Sequence, residues 1–186
     1  MERSKAISII RDHLPEKRFI HTMGVMETAI QLANKYGCDE KKAELAAIFH
    51  DYAKYRPAEE MKKIIVEEQL PEELLAFNTE IWHGPVGAIL VKKEIGIEDE
   101  DILNAIRYHT TGRPEMTLLE KIVFLADYIE PGRSFPGVEE VRELAKTNLD
   151  EAVFRSLQNT IIYLAKKKFA IYKDTIDTYN SFLLKN

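Results

Sequence analysis

The chain is poor in the features that would fix its class at once. It has a single cysteine, Cys38, in 186 residues, so no internal disulfide can form and no thiolate metal site has the needed spacing. No apolar run approaches the roughly 20 residues of a membrane-spanning helix, and the opening Met1-Glu2-Arg3-Ser4-Lys5 leads into an amphipathic segment, not the apolar stretch of a secretory signal. Positive charge is not in excess: 26 Lys and Arg against 31 Asp and Glu give a formal net charge of -5. That balance speaks against a nucleic-acid footprint, and Lys166-Lys167-Lys168 reads as a solvated helix face. Repeats, low-complexity tracts and sustained period-two runs are also missing. The remaining reading is a cytoplasmic protein with no membrane or nucleic-acid partner, whose ligand is a small anion.

What is present is helical periodicity, punctuated by 8 Gly and 7 Pro. Helices are expected near residues 3–12 and 16–36, then over a segment capped by Asp39 that carries Ala43 through Lys54 and ends at Pro57. Further helices are expected near 58–68, 72–77, 85–95, 99–110, 117–130, 138–146, 149–170 and 174–184. Gly37 is placed to end the second helix. The fold class is therefore all-α, and the length suits a single domain with one core, a helical bundle over residues 1–186.

Several polar residues sit where this pattern wants apolar ones. His50-Asp51 follows Leu45-Ala46-Ala47-Ile48-Phe49, Asp127 closes Ile122-Val123-Phe124-Leu125-Ala126, and His21 interrupts an apolar helix. His83 follows Trp82, before a helix start expected at Gly84-Pro85, and His109 ends a helix. Taken singly, each histidine has an ordinary reading as a hydrogen-bonded or surface residue. Two carboxylates in apolar helices need compensation, however, and a nearby dication supplies it for the whole set. Imidazole and carboxylate without thiolate suit iron, manganese, cobalt or zinc better than copper(I) or calcium. If Asp51 bridges two ions, His21, His50, Asp51 and Asp127 hold the first, and Asp51, His83 and His109 the second. Positions left open would take hydroxide and substrate oxygens, the condition for metal-assisted hydrolysis.

Cations near this set suit an anionic substrate. Lys54 follows the His-Asp pair by about one turn, and Arg133 and Arg113 lie in loops behind expected ligands; ordinary surface charge is the competing reading for each. Gly24, one turn after His21, either admits a ligand close to the helix or serves helix packing. Thr110 offers a hydroxyl beside His109 or bonds its own backbone, while Phe135-Pro136-Gly137 offers an aromatic face and free amides or is a plain loop. His13, at a helix end, is explained by the helix dipole and stays outside the site.

The blocks Arg18-Phe19-Ile20-His21-Thr22-Met23-Gly24-Val25, Phe49-His50-Asp51-Tyr52-Ala53-Lys54, Trp82-His83-Gly84-Pro85, Tyr108-His109-Thr110-Thr111-Gly112 and Ala126-Asp127-Tyr128-Ile129-Glu130-Pro131-Gly132-Arg133 resemble, in this order, the HD-domain metal-dependent phosphohydrolases, and within them the YqeK group. The resemblance spans a motif core of roughly residues 15–142; from about 143 onward the chain matches only as amphipathic helix. It implies an HD-type helical fold, a di-iron site on His21, His50, Asp51, His83, His109 and Asp127, and symmetrical hydrolysis of diadenosine tetraphosphate to two ADP. Asp51 and Lys54 are then the expected catalytic residues, with Gly24, Lys54, Thr110, Arg133, Phe135, Pro136 and Gly137 expected at the substrate. Two rivals stay open at this level: an HD-type phosphohydrolase for a nucleoside monophosphate, triphosphate or cyclic dinucleotide, and a metal-dependent nucleotide sensor without turnover. The C-terminal helices permit a homodimer.

Overall fold

Helix α1 (Arg3–His13) leads into α2 (Glu16–Tyr36), which ends at Gly37 with φ at 74°, the left-handed turn for which glycine has no steric penalty. The Asp39 side chain then accepts from Lys42 N at 2.9 Å and opens α3 (Glu40–Phe49). After Pro57 comes α4 (Ala58–Glu67), followed by a short 3-10 turn at Glu72–Ala76 in place of the expected helix over 72–77. Asn78 caps α5 (Thr79–Leu90), which runs on through one wider π turn, Val91–Ile95, to the left-handed Gly96. Asp99 caps α6 (Glu100–Tyr108), and a capping box of Thr117 and Glu120 starts α7 (Leu118–Ile129). The chain closes with α8 (Val138–Leu144), α9 (Leu149–Lys166) and α10 (Lys173–Leu183). This computed structural model describes residues 1–184, so the last two positions of the expected domain lie outside the described residues. Among the described residues there is no strand, and no helix is long and apolar enough to cross a membrane.

The architecture is all-α, as the periodicity predicts, but two boundaries move at the places that matter most. The helix expected to carry His50, Asp51 and Lys54 stops at Phe49, and the chain tightens into three-residue turns, Tyr52 N to Phe49 O at 3.0 Å and Lys54 N to Asp51 O at 2.9 Å. Adjacent residues on an α-helix point about 100° apart, so a continuous helix would carry one of the two polar heads away from the centre. The turns bury both. The second correction concerns α5, which begins at Thr79 instead of at Gly84-Pro85 and contains Pro85. Proline costs the helix a hydrogen bond there, but α5 is already started by its Asn78 cap, and Trp82, His83, Gly84, Val86 and Ala88 are all buried. Gly84 permits the close crossing on α6: a Cβ at this position would stand 2.6 Å from Arg107 O.

Helix α2 packs along α3 and α7, α6 against α5, α7 and α3, and α9 joins α7 to α8 and α10. Ile48, Phe49, Ile106, Ile122 and Leu125 are fully buried where α3, α6 and α7 meet. Each such side chain contributes on the order of 1.5–3 kcal/mol of burial, enough together to hold a polar cluster at the same level of the bundle.

Candidate metal centre

Five helices aim ligand-type side chains at one point. His21 comes from α2, His83 from α5 and Asp127 from the last turn of α7, while His50 and His109 cap the C-terminal ends of α3 and α6, with Asp51 next to His50. The backbone sets the ring orientations. Nδ1 of His50 lies 2.6 Å from Ala47 O, Nδ1 of His109 is 2.7 Å from Ile106 O, and Nδ1 of His83 is 3.1 Å from Thr79 O. A carbonyl can only accept, so each Nδ1 carries the hydrogen and each neutral ring presents its lone pair at Nε2. At the two helix ends this contact also satisfies a carbonyl with no partner further along the helix. His21 follows the same logic with a carboxylate, its Nδ1 donating to Glu130 Oε1 at 3.0 Å.

The Nε2 atoms converge on Asp51 and Asp127, and the two oxygens of Asp51 divide them. Oδ2 of Asp51 is 3.1 Å from His50 Nε2 and 4.0 Å from His21 Nε2, and these two rings also face Asp127 Oδ1, at 3.9 and 2.9 Å. Oδ1 lies 3.3 Å from His83 Nε2 and 3.9 Å from His109 Nε2. All six expected ligand residues are thus brought together.

The donor set fits a cation. His21 Nε2, His50 Nε2 and Asp51 Oδ2 are buried without a hydrogen-bond partner, and the Nε2 atoms of His83 and His109 face each other at 2.9 Å. Two imidazole lone pairs at that distance repel unless a proton or a cation serves both. Burial, then the neighbouring His83 and His50, press the pKa of His109 down to about 3, so this ring is neutral and free to ligate at ordinary pH. Burial would raise Asp51, but His50 and His83 outweigh it and hold the carboxyl well below its usual range. Burial would likewise raise Asp127, and the neighbouring His21, His50 and Arg133 outweigh it, holding Asp127 low as well. For His50 burial acts downward, yet Asp51 and then Asp127 carry the net shift upward. Two ionised carboxylates in this cluster attract positive charge, and a metal ion held by His50 and Asp51 would take the place of a proton shared between them.

The expected substrate residues fall mostly around one cavity of about 900 Å³, which Thr110, Arg133, Phe135, Pro136 and Gly137 line together with His109 and Asp127. The Thr110 hydroxyl sits 3.1 Å from His109 Nε2 and 3.3 Å from His83 Nε2. Arg133 Nη2 donates to Asp127 Oδ1 at 2.5 Å, and its Nε to Asp127 O at 2.8 Å. Phe135 meets Tyr128 edge-on, ring centroids 5.0 Å apart. Lys54 Nζ donates to Glu80 Oε2 at 2.7 Å, and Glu80 borders the same cavity. Gly24 packs under Glu130, where a Cβ would stand 2.7 Å from Glu130 Oε2, and lines a second cavity beside His21. Arg113 pairs with buried Glu120 of the capping box, Nη2 to Oε1 at 2.8 Å.

Two residues at the centre escaped the sequence reading. Glu130 fixes His21, and Arg18 Nη1 lies 3.0 Å from Asp51 Oδ2. Both stand three residues from an expected ligand, Arg18 before His21 and Glu130 after Asp127. That one-turn spacing was the available signal.

The family model for the HD domain matches residues 18–132 of the chain. The chain is 59% identical over 180 residues to a Bacillus subtilis protein named symmetrical bis(5′-nucleosyl)-tetraphosphatase, with 97% of each chain covered. It is also 59% identical over 184 residues to a protein of the same name from Halalkalibacterium halodurans, covering 99% of this chain and 98% of that one. A crystal structure from Clostridium acetobutylicum, described as a predicted HD superfamily hydrolase involved in NAD metabolism, superposes with a TM-score of 0.93 at 44% identity, covering 98% of this chain and 97% of that one.

Proposed function

The chain belongs to the HD-domain family, and we propose that it is a symmetrical bis(5′-nucleosyl)-tetraphosphatase that converts diadenosine tetraphosphate and water to two ADP. Near-full-length identity to relatives of that name supports the substrate. The observation that carries the chemistry is the division of Asp51, whose two oxygens address two separate pairs of imidazole nitrogens. On this reading Asp51 bridges two ions: His21, His50 and Asp127 complete one site, and His83 and His109 the other. Iron is the proposed metal, with manganese, cobalt and zinc compatible with the same donors. Ions held there supply Lewis acidity, which makes water more acidic and neutralises charge on phosphate oxygens.

The residues of the chain do the rest. Glu130 holds the His21 ring in the tautomer that leaves Nε2 free. Arg133 and Lys54, each now bound to an acid beside the site, are the cations that turn to the phosphates. The oxygen of water bonds to one central phosphorus, the bond from that same phosphorus to the bridging oxygen breaks, the bridging oxygen leaves on the other central phosphorus, and the proton passes to solvent. The leaving group is ADP, whose phosphate departs as a stable anion, so no strong side-chain acid is needed. Phe135 and Tyr128 offer an aromatic face to a nucleoside in the 900 Å³ cavity, with Thr110, Pro136 and Gly137 on its walls. A nucleotide substrate suits a cytoplasmic setting. The test is product analysis on the metal-loaded protein: diadenosine tetraphosphate should give ADP alone, and AMP with ATP, or orthophosphate, would overturn symmetrical cleavage.

A further inference from the structure

A second cavity, of about 760 Å³, reaches the same cluster from His21 and Arg18, whereas the larger one reaches it from His109 and Asp127. Arg133 borders both. The smaller cavity combines the chemistries a nucleotide needs. Tyr55 and Ile20 line it and are 55% and 61% exposed, an aromatic and an aliphatic side chain open to a ligand. Lys17 and Arg18 supply positive charge, and Glu27 an exposed carboxylate able to accept from ribose hydroxyls. Arg18 also ties the cavity to the reacting centre, since its Nη1 faces Asp51 Oδ2 at 3.0 Å.

We propose that this cavity is the subsite for the second nucleoside diphosphate half of the substrate, with Tyr55 against its base and Lys17 and Arg18 on its phosphates. The inference rests on the tetraphosphatase reading and deepens it. A dinucleoside tetraphosphate broken at its middle has two phosphates and one nucleoside on each side of the reacting bond. A centre at the bottom of a single pocket would leave one half in water and would not select the central bridge. A centre between two nucleoside cavities does select it, because only the middle of the chain lies equally far from both ends. Symmetrical cleavage then comes from the placement of two sites.

The test uses the metal-loaded, full-length protein with diadenosine tetraphosphate and with ADP. Tyr55 is more than half exposed, so Tyr55→Ala should keep its helical circular dichroism and its metals. It should raise KM for diadenosine tetraphosphate about tenfold, the scale of a lost base stack, with kcat within about twofold. Tyr55→Phe, which keeps the ring, should restore KM, and Lys17→Ala should raise it independently. Equilibrium dialysis should find two ADP per wild-type chain and one per Tyr55→Ala chain. An unchanged KM in both alanine variants, or a single ADP on the wild type, overturns the second subsite while leaving the enzyme a tetraphosphatase. Wild-type protein that releases no ADP overturns the underlying reading and the subsite with it.

Discussion

Helix α3 has a buried carboxylate near its start and delivers another just past its end, and the fold treats the two in opposite ways. Glu44, with 3% of its side chain exposed, accepts from Lys41 Nζ at 2.8 Å and pairs with Arg3. Burial acts to raise its pKa, but the two cations outweigh it and hold the carboxyl below its ordinary value. Asp51, with 2% exposed, has Arg18 beside one oxygen but is otherwise ringed by imidazole nitrogens whose lone pairs point inward. Glu120 repeats the first pattern, satisfied by Arg113 and by Thr117 N at 3.1 Å. A carboxylate buried for structure thus receives donors from its own chain. Asp51 instead faces four imidazole nitrogens as well as Arg18, a donor set that fits a metal ion, and this contrast separates site from scaffold without reference to any relative.

The sharpest way to break the contrast is to remove each acid in turn. Asp51→Ala should lower turnover of diadenosine tetraphosphate at least a hundredfold with the helical circular dichroism retained; near-normal activity would place the chemistry elsewhere. Glu130→Gln should weaken metal affinity by about 10–100-fold in a metal titration, the usual cost of losing a carboxylate behind a ligating histidine. Lys54→Ala should keep both metals and raise KM about tenfold, as for one lost charge-assisted hydrogen bond, and metal loss from that variant would contradict its role at phosphate. The smallest effect belongs to the scaffold. Glu44→Gln should cost about 1–2 kcal/mol of stability and leave metals and activity intact. Because the folded pKa of Glu44 is depressed, its stabilisation is fully present above the unfolded carboxyl pKa of about 4.3. It is lost as pH falls through the lower folded value, so wild-type and Glu44→Gln denaturation curves should differ at pH 7 and approach each other in acid.

The six ligand-type residues were legible in the sequence because the cost of burying a polar group is a local signal: a histidine or aspartate inside an apolar helical run demands an explanation wherever the helices go. The capped starts at Asp39 and the stop at Gly37 were legible for the same reason, each being a property of a few neighbouring residues. The end of α3 at Phe49 was not, since it follows from His50 and Asp51 both having to face a centre built by other helices. The start of α5 at Thr79 was hidden by Pro85, which normally marks a boundary and here lies inside a buried helix. Arg18 and Glu130 look like surface charges in the chain and become neighbours of the site only when α2 meets α7. The cations assigned to phosphate sit near the centre, but their present partners, Glu80 for Lys54 and Asp127 for Arg133, depend on tertiary packing that the sequence does not display.

The central claim is that the cluster around Asp51 is a metal centre bridged by this one side chain. Metal content measured on wild type, Asp51→Ala and Glu44→Gln purified side by side tests it most directly. Two ions per chain are predicted in the wild type and in Glu44→Gln, with most of the metal gone from Asp51→Ala while its helical signal stays. Two ions per chain retained by Asp51→Ala would contradict the claim.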